Sequence, residues 1–384
     1  MSSNLQPVEQ DVDVLVIGGG IVGLSATWLL AEEGVGVLCL DAGDDSGSAA
    51  NAGSLHGQMQ SRMERQFPER VRDYLRMLPT YPRAIDYWGE IAGRLGQHIE
   101  YRVTGGLMIA ESRDDMAALA AKSSLERQHG IETELLGRDE LLHLSPGLNP
   151  TVQGALYCAK EGKINPLPAT AAMCDKAVGA GALVRPGTRV LELEQARPGF
   201  LATTDRGAIR AGRVLIAAGA GSGRLAASLG LDLPCRAELL QMCITEPAEP
   251  LMNHLIQHAA QAITIKQLDT GQVLIGGGWP AARERDDLPP VVLAQSLAGN
   301  LNLARRLVPE LGNLRLQRTW AGVNTLVDLV SVLGPVESMP GLYFAVPGDA
   351  GFTLGPYCAR LVVDAMLGRS PDYPLDPFSP ARFQ

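Results

Sequence analysis

The stretch Asp13-Val14-Leu15-Val16-Ile17-Gly18-Gly19-Gly20-Ile21-Val22-Gly23 constrains the fold more than any other part of the chain. Val14 to Ile17 is a short apolar run suited to a parallel strand covered on both faces. Gly18, Gly20 and Gly23 follow at G-x-G-x-x-G spacing. The first glycine permits a tight turn, the second lets backbone approach a pyrophosphate, and the third lets the helix pack closely on the strand. The spacing predicts a helix from about Ile21 to Glu33, its first N–H groups aimed at the pyrophosphate, with Gly34 as its stop. Val35 to Leu40 reads as the next strand, with Asp41 at its C-terminal end. A carboxylate there accepts both hydroxyls of an adenosine ribose and repels a 2′-phosphate, which points to FAD or NAD rather than NADP. A glycine-rich turn of some other α/β domain is the rival reading. The strand before, the helix after and the acidic residue at the expected distance argue against it.

With 384 residues the chain can build two domains with a sizeable core, and 46% hydrophobic residues exclude disorder as its main state. A net charge of −9 without a long basic run makes nucleic acid and anionic membranes poor partners. The cysteines, Cys39, Cys158, Cys174, Cys235, Cys243 and Cys358, show no C-x-x-C pair, which speaks against an iron–sulfur cluster or structural zinc. Several lie in apolar runs and read as buried thiols of a reducing compartment. The histidines are scattered, so no metal site is expected. The N-terminus lacks the cationic start of a signal peptide. The apolar run from Val12 to Ala31 is better explained by strand, glycine turn and helix than by a membrane span. These features predict a soluble, cytoplasmic protein with no transmembrane segment.

Further along, residues 1–10 read as a loose tail. The small-residue loop from Gly43 to Gly53, continued as Ser54-Leu55-His56-Gly57-Gln58, reads either as backbone amides presented to a ligand or as a flexible connection. Glu64 to Leu95 has a helical pattern that Pro79 and Pro82 break in two. Its arginines, Arg62, Arg65, Arg70, Arg72 and Arg76, read mainly as a solvated face. Tyr101 to Val103 and Leu107 to Ala110 look like strands joined through Thr104-Gly105-Gly106. Thr188 to Glu194, Phe200 to Thr204 and Ala208 to Arg210 predict an antiparallel meander, and Arg213 to Gly219 a separate parallel strand. Ala262 to Leu268 and Gln272 to Gly276 predict a hairpin through Asp269-Thr270-Gly271. The end reads as a strand from Leu342 to Val346, a glycine loop from Gly348 to Gly355, and a helix to Leu367.

Four stretches together resemble the D-amino-acid oxidase family of FAD-dependent amine oxidoreductases, which includes glycine oxidase, sarcosine oxidase and D-amino-acid dehydrogenase. They are Gly18-x-Gly20-x-x-Gly23 with Asp41, the loop Asn51-Ala52-Gly53, the strand from Val214 to Gly219, and Gly348-Asp349-Ala350-Gly351-Phe352-Thr353-Leu354-Gly355. The resemblance implies FAD as cofactor and an α/β (α+β overall) fold, with a Rossmann-like FAD-binding domain and an inserted mixed-sheet substrate domain. It implies that residues 10–60, 150–232 and 325–384 form the first, and 61–149 and 233–324 the second. The cofactor contacts it implies are Gly18, Gly20, Ile21, Val22, Gly23, Asp41 and Ala42 in the first motif. Asn51, Ala52, Gly53, Ser54 and Leu55 follow in the loop, then Val190, Ala218 and Gly219, then Gly348, Asp349, Gly351, Phe352, Thr353 and Leu354. Within the family, Arg318-Thr319-Trp320-Ala321-Gly322-Val323-Asn324-Thr325 and Ser54-Leu55-His56 look most like the flavin subunits of bacterial opine oxidases. Hydroxyproline dehydrogenases and multi-subunit sarcosine oxidases are similar. Such assemblies imply a second flavoprotein or an iron–sulfur subunit as partner.

One departure bears on substrate. Glycine oxidase-like members carry Gly-Leu-Arg-Pro where this chain has Gly322-Val323-Asn324-Thr325, and Asn324 cannot replace a guanidinium that clamps a carboxylate. The carboxylate is then gripped elsewhere, by Arg62, Lys266 or Arg318, or the substrate differs. The resemblance implies hydride transfer from the α-carbon of an amine to flavin N5, then hydrolysis of the imine, without a catalytic triad. An opine-type secondary amine is favoured over a D-amino acid, glycine, sarcosine or D-hydroxyproline. Candidate catalytic residues are His56, Lys266 and Asn324, and candidate substrate contacts are Arg62, Arg318 and Trp320. Each has a plainer reading. His56 suits a satisfied loop histidine, Lys266 a solvent-facing strand lysine, and Trp320 and Trp279 core or pocket wall. Rival classes are an NAD-dependent dehydrogenase and a non-catalytic FAD-binding electron-transfer subunit.

Overall fold

The computed structural model describes residues 8–43, 47–60, 68–285 and 288–383. Arg62 and Arg65 lie outside the described residues, as do residues 1–7 of the expected tail. The chain divides into two compact units. One contains the described residues up to Ala49 together with Leu167–Ala237 and those from Asn324 onward; the other contains Ala50–Pro166 and Glu238–Val323.

The first unit is built on an eight-stranded sheet centred on Val8–Ile17. Val37–Asp41 runs parallel to it on one side and Gly207–Ile216 on the other. The registers place Ile17 beside both Leu40 and Ile216, so these strands end level with one another. Leu342–Val346 continues the parallel set, Ile216 facing Phe344, and Leu183–Pro186 extends it beyond Val37–Asp41. Val14, Leu15 and Val16 have no exposed surface, as a central strand sandwiched by helices requires. Gly355 of the helix Gly351–Met366 lies against Ile21 and Val22 of the helix Ile21–Glu32; a Cβ there would come within 3.0 Å of Ile21 Cγ2. The expected break between Ala208–Arg210 and Arg213 is absent. Gly207–Ile216 is one strand, pairing antiparallel with Phe200–Thr204 through its first half and parallel with Val8–Ile17 along its length. Pairing on both sides outweighs the local weakness of Gly212.

The second unit holds an eight-stranded mixed sheet whose central members are Thr264–Gln267, Leu255–His258, Gly106–Ala110 and Gly154–Cys158. The predicted hairpin Thr264–Gln267 to Gln272–Gly276 is present. The helix Ala294–Leu307 covers one face through a core that includes Leu107, Ile256, Ile265, Leu303 and Leu307. Leu119 of the helix Arg113–Gln128 meets Met108 and Leu156 on the other. A small sheet joins Ser54–Leu55 and Arg102–Val103 to opposite edges of Gly162–Lys163. Both strands expected on either side of Thr104-Gly105-Gly106 are present, and Arg102–Val103 and Gly106–Ala110 belong to different sheets. Between them, Gly105 N donates to Glu161 O at 2.8 Å, which turns the chain from one sheet into the other. Pro82 sits in the first turn of the helix Thr80–Leu95, where a missing N–H costs nothing, and breaks no helix. Among the described residues no helix is long and apolar enough to cross a membrane, and no group of three or more His, Cys, Asp or Glu could hold a metal ion.

Candidate cofactor and substrate site

In the first unit, the C-terminal ends of parallel strands gather the glycine-rich turns. Gly18 has φ +119°, and a Cβ there would overlap Ala217 O of the neighbouring strand end. A Cβ on Gly23 would overlap Gly18 O, so the helix Ile21–Glu32 can approach its strand only because this residue is glycine. Gly19 packs directly on the Asp41 side chain. The first turn of the helix has no acidic residue, which leaves an N–H-rich end suited to an anion. Nothing in the sequence hints that Ser48, in the loop beyond Asp41, reaches back: its hydroxyl accepts from Ile21 N at 2.9 Å. Asp41 is partly exposed and accepts from Gly43 N through Oδ1 at 3.3 Å, beside Ala42. Thr188 N donates to Asp41 O at 2.8 Å, which brings the segment before Val190 to this end of the sheet. The Val190 side chain itself lies in the core, and its carbonyl accepts from Arg224 Nη2 at 2.8 Å. Sequence reasoning misses Arg224, because an arginine in a short helix carries no motif.

Ala218 and Gly219 follow the strand Gly207–Ile216, and a Cβ on Gly219 would meet Thr325 Oγ1 at 3.1 Å. The terminal loop follows Leu342–Val346. Positions where a Cβ would stand on Gly348 and Gly351 face open space, and Phe352, Thr353 and Leu354 are buried in the first turn of the helix. Asn324 Nδ2 donates to Asp349 Oδ1 at 2.6 Å. Asn324 is thus tied to the loop that opens the last helix. The arrangement fits FAD on three counts: a glycine turn with no room for side chains, an anion-accepting helix end, and a carboxylate at the end of the adjacent strand.

In the second unit, Asn51 Oδ1 accepts from Gly53 N at 2.6 Å, closing an Asx turn over Ala52. Gly53 has φ +71°; a Cβ there would overlap Ile164 O and stand 2.9 Å from Lys266 Nζ. Lys266 is not solvent-facing. It is 2% exposed, because both faces of its strand are covered. Its ammonium donates to Ile164 O at 2.9 Å, and burial, with Lys163 nearby, pulls its pKa down to about 7. His56 is also buried, with Nδ1 3.9 Å from Glu161 Oε1, next to Ser54 and Leu55 of the small sheet. Trp320 donates from Nε1 to Ala50 O at 2.9 Å, and the exposed Arg318 lies with Cζ 4.5 Å from the centre of the Trp320 ring. The pair thus anchors the start of the Asn51–Gly53 loop to the strand Leu316–Leu326. Burial pushes the Cys39, Cys158, Cys235, Cys243 and Cys358 thiols up to about 12, so they are inert as nucleophiles.

The fold and the glycine turn define a Rossmann-type dinucleotide-binding protein. The FAD dependent oxidoreductase family matches residues 13–365, and the chain belongs to that family. Its cofactor is FAD, and the protein is an enzyme. It is 27% identical over 385 residues to one of the subunits of the opine oxidase of Rhizobium meliloti, spanning 97% of this chain and 98% of that one. It is 25% identical over 376 residues to the glycine oxidase of Geobacillus kaustophilus, spanning 96% and 97%. The crystal structure of that organism's glycine oxidase superposes with a TM-score of 0.84 at 23% identity, covering 96% of this chain and 98% of that chain. L-proline dehydrogenase from P. horikoshii does so with a TM-score of 0.84 at 21% identity, covering 98% of each. These superpositions show a shared fold.

Proposed function

We propose that this enzyme oxidises an amino-acid-like amine at its α-carbon, and that an opine-type secondary amine is its preferred substrate. FAD, when bound, supplies the acceptor for the hydride of the α C–H; the resulting imine is hydrolysed in water to an amino acid and a 2-oxo acid. The observation that carries the substrate class is Asn324. Its amide is neutral and donates to Asp349 at 2.6 Å, at the position where the resemblance implies an arginine clamp. A primary amino acid offers one carboxylate as its large handle, and leaving it without a cationic partner costs several kcal/mol, roughly 2–5. An opine carries a carboxylate on each side of its amine, so cations elsewhere can grip either end. Lys266 is the first candidate, a buried amine with donor capacity beyond its bond to Ile164 O. Arg318, stacked on Trp320, is the second. The 27% identity to a chain of an opine oxidase supports the same class.

The first unit is read as the FAD-binding domain and the second as the substrate domain. In the first, backbone N–H groups opening the helix Gly351–Met366 would supply positive partial charge to a bound flavin. The Asn51–Leu55 segment is a proposed flavin contact and His56 a proposed catalytic residue. Because the opine oxidase relative is one chain of a multi-chain enzyme, a second flavoprotein or iron–sulfur chain is the proposed partner. A cytoplasmic setting belongs to the same proposal. Anaerobic stopped-flow of flavin absorbance with matched primary and N-carboxyalkyl amino acids tests the reading. Faster bleaching by the secondary amines is expected. Faster bleaching by D-alanine or glycine overturns the substrate class, and a flavin that no amine bleaches makes the chain an electron-transfer component.

A further inference from the structure

A buried polar cluster in the second unit takes no part in the chemistry above, yet three successive backbone N–H groups end in it. Gly57 N and Gln58 N donate to Glu161 Oε1 at 3.0 and 3.3 Å, and Met59 N donates to Glu126 Oε1 at 2.6 Å. Gln58 Nε2 and Gln257 Nε2 each donate to Glu161 Oε2 at 3.0 Å, and Gln257 Nε2 also lies 3.2 Å from Oε1. Lys122 Nζ donates to Gln58 Oε1 at 2.9 Å and to Glu126 Oε1 at 2.7 Å. An ammonium only donates, so it fixes the Gln58 amide with its nitrogen toward Glu161. Glu161, Glu126 and Gln58 have no exposed surface. Gly106 makes the room: a Cβ on it would overlap Glu161 Oε2.

We propose that Glu161 is a positioning residue for the segment Gly53–Met59, holding it as a proton-free acceptor and releasing it when the buried cluster takes up a proton. Each of the hydrogen bonds given above for the Glu161 carboxylate comes from an N–H donor. A proton on it would place an O–H among N–H groups and displace at least one of them. The segment it holds runs directly into Gly53, beside Lys266 Nζ, and carries His56. The consequence for turnover rests on the proposed reading that Asn51–Leu55 borders the flavin.

Charged and titratable side chains lie around the site. Lys122 bonds Glu126 directly and is linked to Glu161 through the Gln58 amide. The His56 imidazole, 3.9 Å from Glu161 Oε1, is the other group able to bear positive charge. The Cys158 thiol, beside Gly57, stays protonated because burial and Glu161 push it up to about 12. Burial pushes the Glu161 carboxyl up to about 7 against the opposing pull of its Gln58 and Gly57 donors and of Lys122.

The test is hydrogen exchange of the Gly57, Gln58 and Met59 amides in the FAD-loaded enzyme across pH 5.5–8.5, with flavin reduction followed in parallel. In the wild type, protection factors for Gly57 and Gln58 should rise about tenfold as the pH passes through neutrality. In Glu161→Gln that inflection should vanish and protection stay low, because an NH₂ group then faces the donors. Glu126→Gln should keep the inflection. Protection in the wild type that is independent of pH overturns the proposal even if Glu161→Gln fails to fold, and an unchanged profile in a folded Glu161→Gln does the same. The limiting rate of flavin reduction should follow the same inflection. Exchange that responds while flavin reduction does not upholds the positioning role and overturns the placement of the segment at the flavin.

Discussion

Replacing Lys266 by methionine keeps the shape of the buried side chain and removes its charge. An unfolded lysine titrates near 10.5 and Lys266 near 7, so at about 1.4 kcal/mol for each tenfold change the charged form costs the fold about 5 kcal/mol. Losing the bond to Ile164 O leaves a buried carbonyl short of a donor and returns about 1–2 kcal/mol. Relaxation around the ammonium reduces the remainder further, and Lys266→Met should stabilise the protein by about 2–3 kcal/mol at pH 6.5. The sign with pH follows from linkage. Below the folded value near 7, both states hold the proton and the penalty is complete. Between 7 and 10.5 the unfolded chain binds the extra proton, so wild-type stability rises with pH. The advantage of the methionine variant should therefore shrink by about 2 kcal/mol on moving to pH 9. Urea denaturation of both proteins with FAD held at the same saturating concentration gives the difference directly, because other titrating groups cancel. A constant difference from pH 6.5 to 9, or a variant less stable throughout, would refute a buried, partly deprotonated Lys266.

Asp41→Ala should weaken FAD by about 1–3 kcal/mol, a factor of roughly 5 to 150, through lost charge-assisted hydrogen bonds; an unchanged dissociation constant by flavin fluorescence would mean that the ribose is held elsewhere. Gly23→Ala would drive a methyl group into Gly18 O, and should cost about 3 kcal/mol or more of stability together with flavin content, read by melting temperature and by absorbance of the purified protein. His258 Nδ1 accepts from Ala260 N and Gln261 N while Nε2 donates to Glu111, and burial lowers its pKa. Protonation breaks the Nδ1 bonds, so its stabilising contribution is present above about 6.5 and lost as pH falls; comparing melting temperatures with His258→Gln at pH 7.5 and 5 should show the difference shrinking on the acid side.

The cofactor end of the first unit is legible in the sequence because its constraints are local. Gly18, Gly23 and Asp41 must stand where they do for steric and electrostatic reasons that act within one strand–helix–strand unit. Lys266 reads wrongly from sequence because strand periodicity reports which residues share a face, not whether that face is covered. Thr264 and Lys266 alternate with Ile263 and Ile265 as a half-exposed strand would, but all of Thr264–Gln267 is buried in the middle of a sheet packed on both sides. The strands at Arg102–Val103 and Gly106–Ala110 are legible, but their separation into two sheets is not: Glu161, far along the chain, takes the Gly105 N–H and fills the space beside Gly106. Partnerships such as Ile21 with Ser48 and Trp320 with Ala50 leave no periodic trace, so no spacing rule could have found them.

The central claim is that the flavin is reduced by the α C–H of a secondary amine and that cleavage follows. Its most direct measurement is a single anaerobic turnover of the FAD-loaded enzyme with an N-carboxyalkyl amino acid, in which reduced flavin, free amino acid and 2-oxo acid are all quantified. The account predicts one of each per flavin, with reduction slowed when the α-hydrogen is deuterium. A flavin that stays oxidised with every secondary amine but is bleached by glycine or D-alanine would contradict it, as would bleaching without release of a 2-oxo acid.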